Sequence, residues 1–310
     1  MRTLICGSIA YDNIMVFQGR FKDQILPEQV QILNVCFLVP ELRREFGGCA
    51  GNIAYNLRLL GGEPLIMATV GSDAAPYLAR LDALNLPRDY VRLMPDTFTA
   101  QAFITTDLDD NQITAFHPGA MSQSHANTIE KGFKAGLAIV APDGREGMLS
   151  HIDQLAHANI PFIFDPGQGL PMFNGAELLA MIGKARYVAL NDYEGRMLQE
   201  RTGRTLKELA GMVEALIVTK GANGSEIYTA GTTIEIPCAK PTAVVDPTGC
   251  GDAYRAGLLY GIGQGFDWHK TGRLASLMGS LKVASRGAQN HHATRAKIAA
   301  LYERNFGATL

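Results

Sequence analysis

Little in this sequence of 310 residues would suit an oxidising compartment, a membrane or a nucleic acid. Its 5 cysteines (Cys6, Cys36, Cys49, Cys238 and Cys250) are scattered, odd in number and never spaced Cys-x-x-Cys. They read as reduced thiols acting as small apolar groups. Cys250, beside a helix opening, is the one thiol whose position would favour a lowered pKa. The 7 histidines form no grouping with Cys or Asp at ligand spacing, which argues against zinc. No apolar run approaches the roughly 18 residues of a membrane span, and no secretory pattern follows Arg2. With 28 basic against 30 acidic residues there is no electrostatic footprint for a nucleic acid. These absences predict a cytoplasmic globular protein. Two nucleotide signatures are missing as well. The phosphate loop G-x-x-x-x-G-K-[ST] is absent, and Gly7-Ser8-Ile9-Ala10-Tyr11 lacks the third glycine of a dinucleotide fingerprint.

What is present is a regular alternation of strand and helix patterns. Thr3 to Cys6, Leu65 to Val70, Leu137 to Val140, Pro161 to Phe164, Tyr187 to Leu190 and Ala215 to Val218 read as buried strands. Helical patterns between them predict a mostly parallel sheet covered on both faces, an α/β architecture. Two stretches interrupt this order, Ile14 to Phe46 and Ala100 to Phe116, the second with a hairpin signal at Asp109-Asp110-Asn111. They are expected to join as a small second sheet over the main one.

Ligands of such sheets bind beyond the carboxyl ends of the strands. The informative polar residues fall there: Asp12 after the first strand, Asn52 at a helix opening, Asn191-Asp192-Tyr193-Glu194, and Lys220-Gly221. The densest segment is Asp246-Pro-Thr-Gly-Cys-Gly-Asp252. Val244-Val245 ahead of it reads as the end of a strand, and the residues from Ala253 to Tyr260 behind it have helical spacing. A glycine turn that opens a helix presents N–H groups to an anion. Read without other context, Asp252 is equally an acidic helix cap, Asn191 and Glu194 a surface cap with a nearby acid, and Asp12 and Asn52 turn residues. Lys220 alone would be a solvated lysine.

Together these motifs resemble the ribokinase-like, or pfkB-type, family of small-molecule kinases over nearly the whole chain. Asp246 to Tyr254 is similar to the family's C-terminal signature, Gly47-Gly48-Cys49-Ala50-Gly51-Asn52 to its N-terminal glycine pair and substrate asparagine, and Asn191 to Glu194 to Asn-x-x-Glu. Val218 to Gly221, with Gly224, resembles the segment lining the nucleotide site. The resemblance implies one domain over 1–310, a three-layer α/β/α sandwich with a small β-sheet lid at about 14–46 and 98–117.

It also implies transfer of the ATP γ-phosphoryl group to a hydroxymethyl group. Asp252 would be the base, ionised near neutrality, and the amides of Gly249, Cys250, Gly251 and Asp252 would form the anion hole. Asp12, Gly47, Gly48, Asn52 and Phe116 would bind the acceptor; Asn191, Glu194, Lys220, Gly221, Gly224 and Asn290 would serve ATP. Glu194 would organise Mg2+ through water. Asp246, Thr248, Ser285 and Gly287 resemble the loop pair that holds K+ in relatives. Phe17, Phe21, Phe37, Phe46, Phe103 and Phe116 in the lid segments favour a purine nucleoside, adenosine above all. A ribokinase- or fructokinase-type sugar kinase is the alternative, and a non-catalytic nucleoside-binding protein is another of a different class. The expected partner is a small molecule, and the chain is either a monomer or a homodimer.

Overall fold

The structure is a computed structural model that describes residues 1–25, 34–109, 111–130 and 132–310. In chain order its regular elements are β1 (Arg2–Cys6), β2 (Ala10–Val16), β3 (Glu41–Gly47), α1 (Cys49–Leu59), β4 (Glu63–Gly71), α2 (Ala75–Ala83), β5 (Val91–Met94), β6 (Ala100–Thr106) and β7 (Gln112–His117). There follow β8 (Leu137–Val140), α3 (Arg145–His157), β9 (Phe162–Phe164), α4 (Gly175–Ile182), β10 (Tyr187–Asn191), α5 (Asp192–Thr202), α6 (Leu206–Ala210) and β11 (Ala215–Thr219). A hairpin of β12 (Ser225–Thr229) and β13 (Thr232–Ile236) leads to α7 (Cys250–Gly263), α8 (Trp268–Val283) and α9 (Arg295–Phe306). Short 3-10 turns link several of them.

A nine-stranded sheet runs β13-β12-β11-β10-β9-β8-β1-β4-β5, parallel from β11 to β5, with the β12–β13 hairpin antiparallel at one edge. Its central strands are apolar along most of their length because both faces are covered; all four residues of β8 are buried. Ile5 packs with Ile53, Leu57, Leu258 and Ala275 of α1, α7 and α8. Its neighbours Leu4 and Cys6 point the other way, into a core with Met148, Ile152, Leu198 and Leu209 of α3, α5 and α6. The result is a three-layer α/β/α sandwich.

Both interrupting stretches enter a second, four-stranded sheet of order β3-β2-β6-β7. It begins at Ala10, so Asp12 sits inside a strand and not in the turn after β1. Residues 26–33 of the first stretch, and Asp110 of the hairpin signal, lie outside the described residues. The strand expected at Val244-Val245 is not there. Both valines are exposed, and the segment is an irregular loop whose Val245 and Asp246 amides donate to the Val283 carbonyl at 2.8 and 3.1 Å. That loop carries the chain across to the start of α7.

Candidate active site

Two helix openings meet at the carboxyl ends of the central strands. α1 starts after Gly48, whose φ of 84° suits glycine. A Cβ there would lie 2.6 Å from the backbone of Ser8 and Ala10. A Cβ on Gly47 would lie 2.4 Å from a carboxylate oxygen of Asp12. On the side where a Cβ would stand, the space at both glycines is filled by Asp12 and the backbone of Ser8 to Ala10, and their lack of a side chain admits β2. The Cys49 amide donates to Ser8 Oγ at 3.1 Å and the Ala50 amide to the Ser8 carbonyl at 2.9 Å, so the first two helical amides of this opening are taken by the protein.

α7 starts after Gly249, in the left-handed region at φ 79°. Here the Cys250 amide is used within the turn, donating to the Pro247 carbonyl at 3.1 Å. That removes one of the four amides expected in the anion hole. The amides of Gly249, Gly251 and Asp252 have no acceptor among the described residues. Gly251 is exposed, and a Cβ on it would meet only Arg255 Nη1 at 3.4 Å. Burial pushes the Cys250 thiol up to about 11, the reverse of an activated thiolate.

The openings are joined by Asn52, whose Nδ2 donates to Asp252 Oδ2 at 2.9 Å. Asn52 is itself held by Gln289, whose Nε2 donates to Asn52 Oδ1 at 3.0 Å and to the Tyr77 hydroxyl at 2.8 Å. Tyr77 in turn donates to the Gly47 carbonyl at 2.7 Å. Asp252 keeps one edge on the cleft while protein packs around the rest of its carboxyl. That burial pushes it up to about 7; the Asn52 amide opposes the shift, Asp165 adds to it and Arg255 opposes it. Burial thus works against the ionisation near neutrality that the resemblance implies for this carboxylate. Desolvation outweighs the dipole of α7, whose effect is only ~0.3–1 kcal/mol.

Asp165 and Arg255 form the buried ion pair beneath. Arg255 Nε and Nη2 donate to the two Asp165 oxygens at 3.0 and 3.1 Å, and Nη2 lies 3.9 Å from Glu194 Oε2. Asp165 follows β9 at a strand's carboxyl end, like the other site residues, but no local motif marks it, and none marks Tyr77; Gln289, expected with Asn290 near the adenine of ATP, instead braces Asn52. Asn191 and Glu194 form a reciprocal capping box for α5: Glu194 N–H donates to Asn191 Oδ1 at 2.8 Å, and Asn191 N–H to Glu194 Oε2 at 2.7 Å. The Asn191 carbonyl is thereby occupied. Burial raises the Glu194 pKa, Asp165 raises it further and Arg255 opposes this.

Lys220 is paired with Glu226 on β12. Gly221, at φ 56°, opens onto free space, whereas Gly224 is required by the fold, because a Cβ there would lie 2.1 Å from the Ile236 carbonyl. Asn290 Nδ2 donates to Glu45 Oε2 at 2.8 Å, and Glu45 is registered opposite Asp12. The structure thus puts Asn290 beside the Asp12 side of the cleft, with no hydrogen bond to Gly221–Gly224 among the described residues. Burial raises Asp12 to about 6, with Glu45 and Asp246 adding to the shift.

The phenylalanines divide. Phe17, Phe21 and Phe37 pack on one another with centroids 4.9 to 6.1 Å apart, and Phe46 packs 5.1 Å from Tyr77. Phe103 is registered with Asn13, and so faces away from Asp12; Phe116, registered with Ala102 and through it with Asp12, shares its face. Among the described residues no group of three or more His, Cys, Asp or Glu is placed to cage a metal. Glu194 keeps its Oε1 free of partners among the described residues. That fits an Mg2+ that retains most of its water and arrives on phosphates, rather than one held by protein alone.

A cleft with a carboxylate over a helix opening, next to unpaired amides, defines a group-transfer site for an anion. The pfkB family carbohydrate kinase pattern matches residues 11–295, and the chain belongs to that family, as a phosphotransferase. The nucleoside kinase of Burkholderia thailandensis, solved in complex with inosine, is 57% identical; 99% of each chain is covered, with a TM-score of 0.91. The nucleoside kinase of Methanocaldococcus jannaschii is 31% identical over 98% of each chain, with a TM-score of 0.89. The ribokinase of Bacillus subtilis is 27% identical over 81% of this chain and 86% of its own. The three-layer sandwich is the ribokinase-like fold of these proteins. Among the described residues no helix is long and apolar enough to cross a membrane.

Proposed function

We propose that the chain uses Mg-ATP to phosphorylate the 5'-hydroxyl of a purine nucleoside, with adenosine as the principal acceptor. The observation that carries the reading is the 2.9 Å contact between Asn52 and Asp252, which joins an acceptor-side helix opening to a phosphate-side one. The full-length likeness to a kinase that holds inosine supports a purine acceptor and widens the choice beyond adenosine. Asp12 and Phe116, on one face of the second sheet, suit a sugar with an attached base: a carboxylate for hydroxyls and a ring for the base. That sheet is read as the lid over the acceptor.

In this reading Asp252 takes the hydroxyl proton as the acceptor oxygen bonds to the γ-phosphorus. The bond to the β-γ bridging oxygen breaks, and ADP leaves. Such a loose transition state asks for positioning and charge stabilisation more than for a strong base. The amides of Gly249, Gly251 and Asp252 face the phosphoryl oxygens, with Arg255 Nη1 turned toward Gly251 beside them. Bound Mg2+ neutralises phosphate charge, and Glu194 would hold its water shell. Asn52 keeps Asp252 aimed at the acceptor.

The test is a Mg-ATP phosphorylation screen over adenosine, inosine, guanosine, cytidine, ribose and fructose. The expected result is a higher kcat/KM for adenosine or inosine than for any free sugar. A preference for ribose over every nucleoside would overturn the acceptor assignment. In Asp12→Ala, acceptor saturation should fail while ATP affinity is kept; loss of ATP affinity instead would show the division of the two subsites to be wrong.

A further inference from the structure

The loop pair that resembles a potassium site is occupied by a side chain of the protein. Lys282, at the end of α8, has no exposed surface. Its Nζ donates to the Asp246 carbonyl at 2.7 Å and to the Ser285 carbonyl at 3.0 Å, and lies 4.0 Å from Asp246 Oδ2. The Asp246 carboxylate is fixed in its turn by two amides, Thr248 N–H at 2.9 Å on Oδ1 and Gly287 N–H at 2.8 Å on Oδ2. One buried ammonium therefore ties the segment before α7 to the segment after α8, using the residues expected to ligate K+.

Removing an ammonium from water is costly unless oxygens replace its hydration. Two carbonyls and a carboxylate do so here, and a dehydrated K+ would need the same oxygens. It would also meet the buried ammonium's positive charge a few ångströms away, with little water between to screen the repulsion. The residues present thus do not fit the exchangeable cation that the resemblance implies. We propose that Lys282 is a built-in replacement for that cation, and that phosphotransfer by this protein is independent of K+. The ammonium holds Asp246 in place, and Asp246 begins the loop that bends through Pro247 into the amides facing the phosphate.

The inference rests on phosphotransfer at α7 and not on which acceptor is used, so the assay takes whichever acceptor the screen identifies. Wild-type turnover is compared in potassium chloride and choline chloride at equal ionic strength, with Tris salts of ATP. The expected rates agree within about twofold; stimulation by K+ of about fivefold or more would overturn the proposal. Lys282→Ala opens room at the two carbonyls. In choline chloride it should lose about tenfold or more in kcat, since small misplacement of the anion amides is costly. K+ should restore part of that loss.

Thermal melting without any acceptor gives the second readout. K+ should raise the Tm of Lys282→Ala by several degrees, as a ligand bound only by the folded state does, and leave the wild-type Tm unchanged. Lys282→Ala with full turnover in choline chloride, or a wild-type Tm that rises with K+, would overturn the proposal. Should Lys282→Ala not fold, the wild-type comparison in both salts still decides.

Discussion

The openings of α1 and α7 are similar in sequence and opposite in condition. Both are glycine-rich, both carry a cysteine at the first helical position, and both project a polar side chain from the first turn, Asn52 and Asp252. Yet at α1 the protein takes the first two helical amides and buries Gly51. Ser8 takes the Cys49 and Ala50 amides, and the backbone of Ser8 to Ala10 fills the place of a Gly48 side chain. The α7 opening is accessible, with Gly251 exposed and three amides unpaired among the described residues. A glycine-rich helix start is therefore not by itself a ligand site. What separates the two is how far the rest of the fold covers the opening and how many of its N–H groups it takes.

That contrast can be broken most directly at the carboxylate. Asp252→Asn keeps the shape but removes the base, and kcat should fall by at least ~10²-fold, with ATP and acceptor still binding. Isothermal titration alongside steady-state kinetics separates the two effects, and near wild-type turnover would sink the base assignment. Alanine at the two glycines gives the sharper comparison. Gly48→Ala should cost stability: it forces a left-handed residue against the backbone at 2.6 Å, by about 1–3 kcal/mol or more, read as a drop in Tm. Gly251→Ala meets only the tip of Arg255 and gains helix propensity, so Tm should hold or rise. Its methyl group would stand where the phosphoryl oxygens are proposed to lie, and kcat should fall by about tenfold. Equal behaviour of the two variants would erase the distinction between a covered and an accessible opening.

The sandwich was legible in the sequence because its strands are short all-apolar runs, as in Leu137 to Val140, set between helical patterns. Asp252 and Asn52 were legible because each lies within a local glycine motif. The partnerships were not. Arg255 looks out of place on a buried helix until Asp165, 90 positions away, supplies its partner. Lys282 reads as one more helical lysine until Asp246, 36 positions earlier, comes round to meet it. Local spacing also misled at Val244-Val245, which sequence alone could not distinguish from a strand end and which the fold leaves exposed in a loop. The phenylalanines were counted as one feature, but period-two alternation sends Phe103 and Phe116 to opposite faces.

The smallest effect concerns proton supply, and it separates the two carboxylates of the cleft. Burial pushes Asp252 up to about 7 and Asp12 up to about 6, so in each case protein packing favours the neutral form. A base must be ionised to accept a proton, so turnover should fall as pH drops through the Asp252 value. The kcat profile of the saturated enzyme should then lose about half its plateau near pH 7 and about ten-fold by pH 6. Above that range Asp252 is ionised and the rate should be flat. An ionised Asp12 is the better acceptor for nucleoside hydroxyls, so its protonation should appear as a rising KM at lower pH, displaced from the kcat limb. In Asn52→Ala the amide that opposes the shift at Asp252 is gone, so the acid limb of kcat should move to higher pH. A limb that stays in place in Asn52→Ala, or one that follows Asp12→Asn instead, would show that the titrating group belongs to the covered side of the cleft and not to the accessible one.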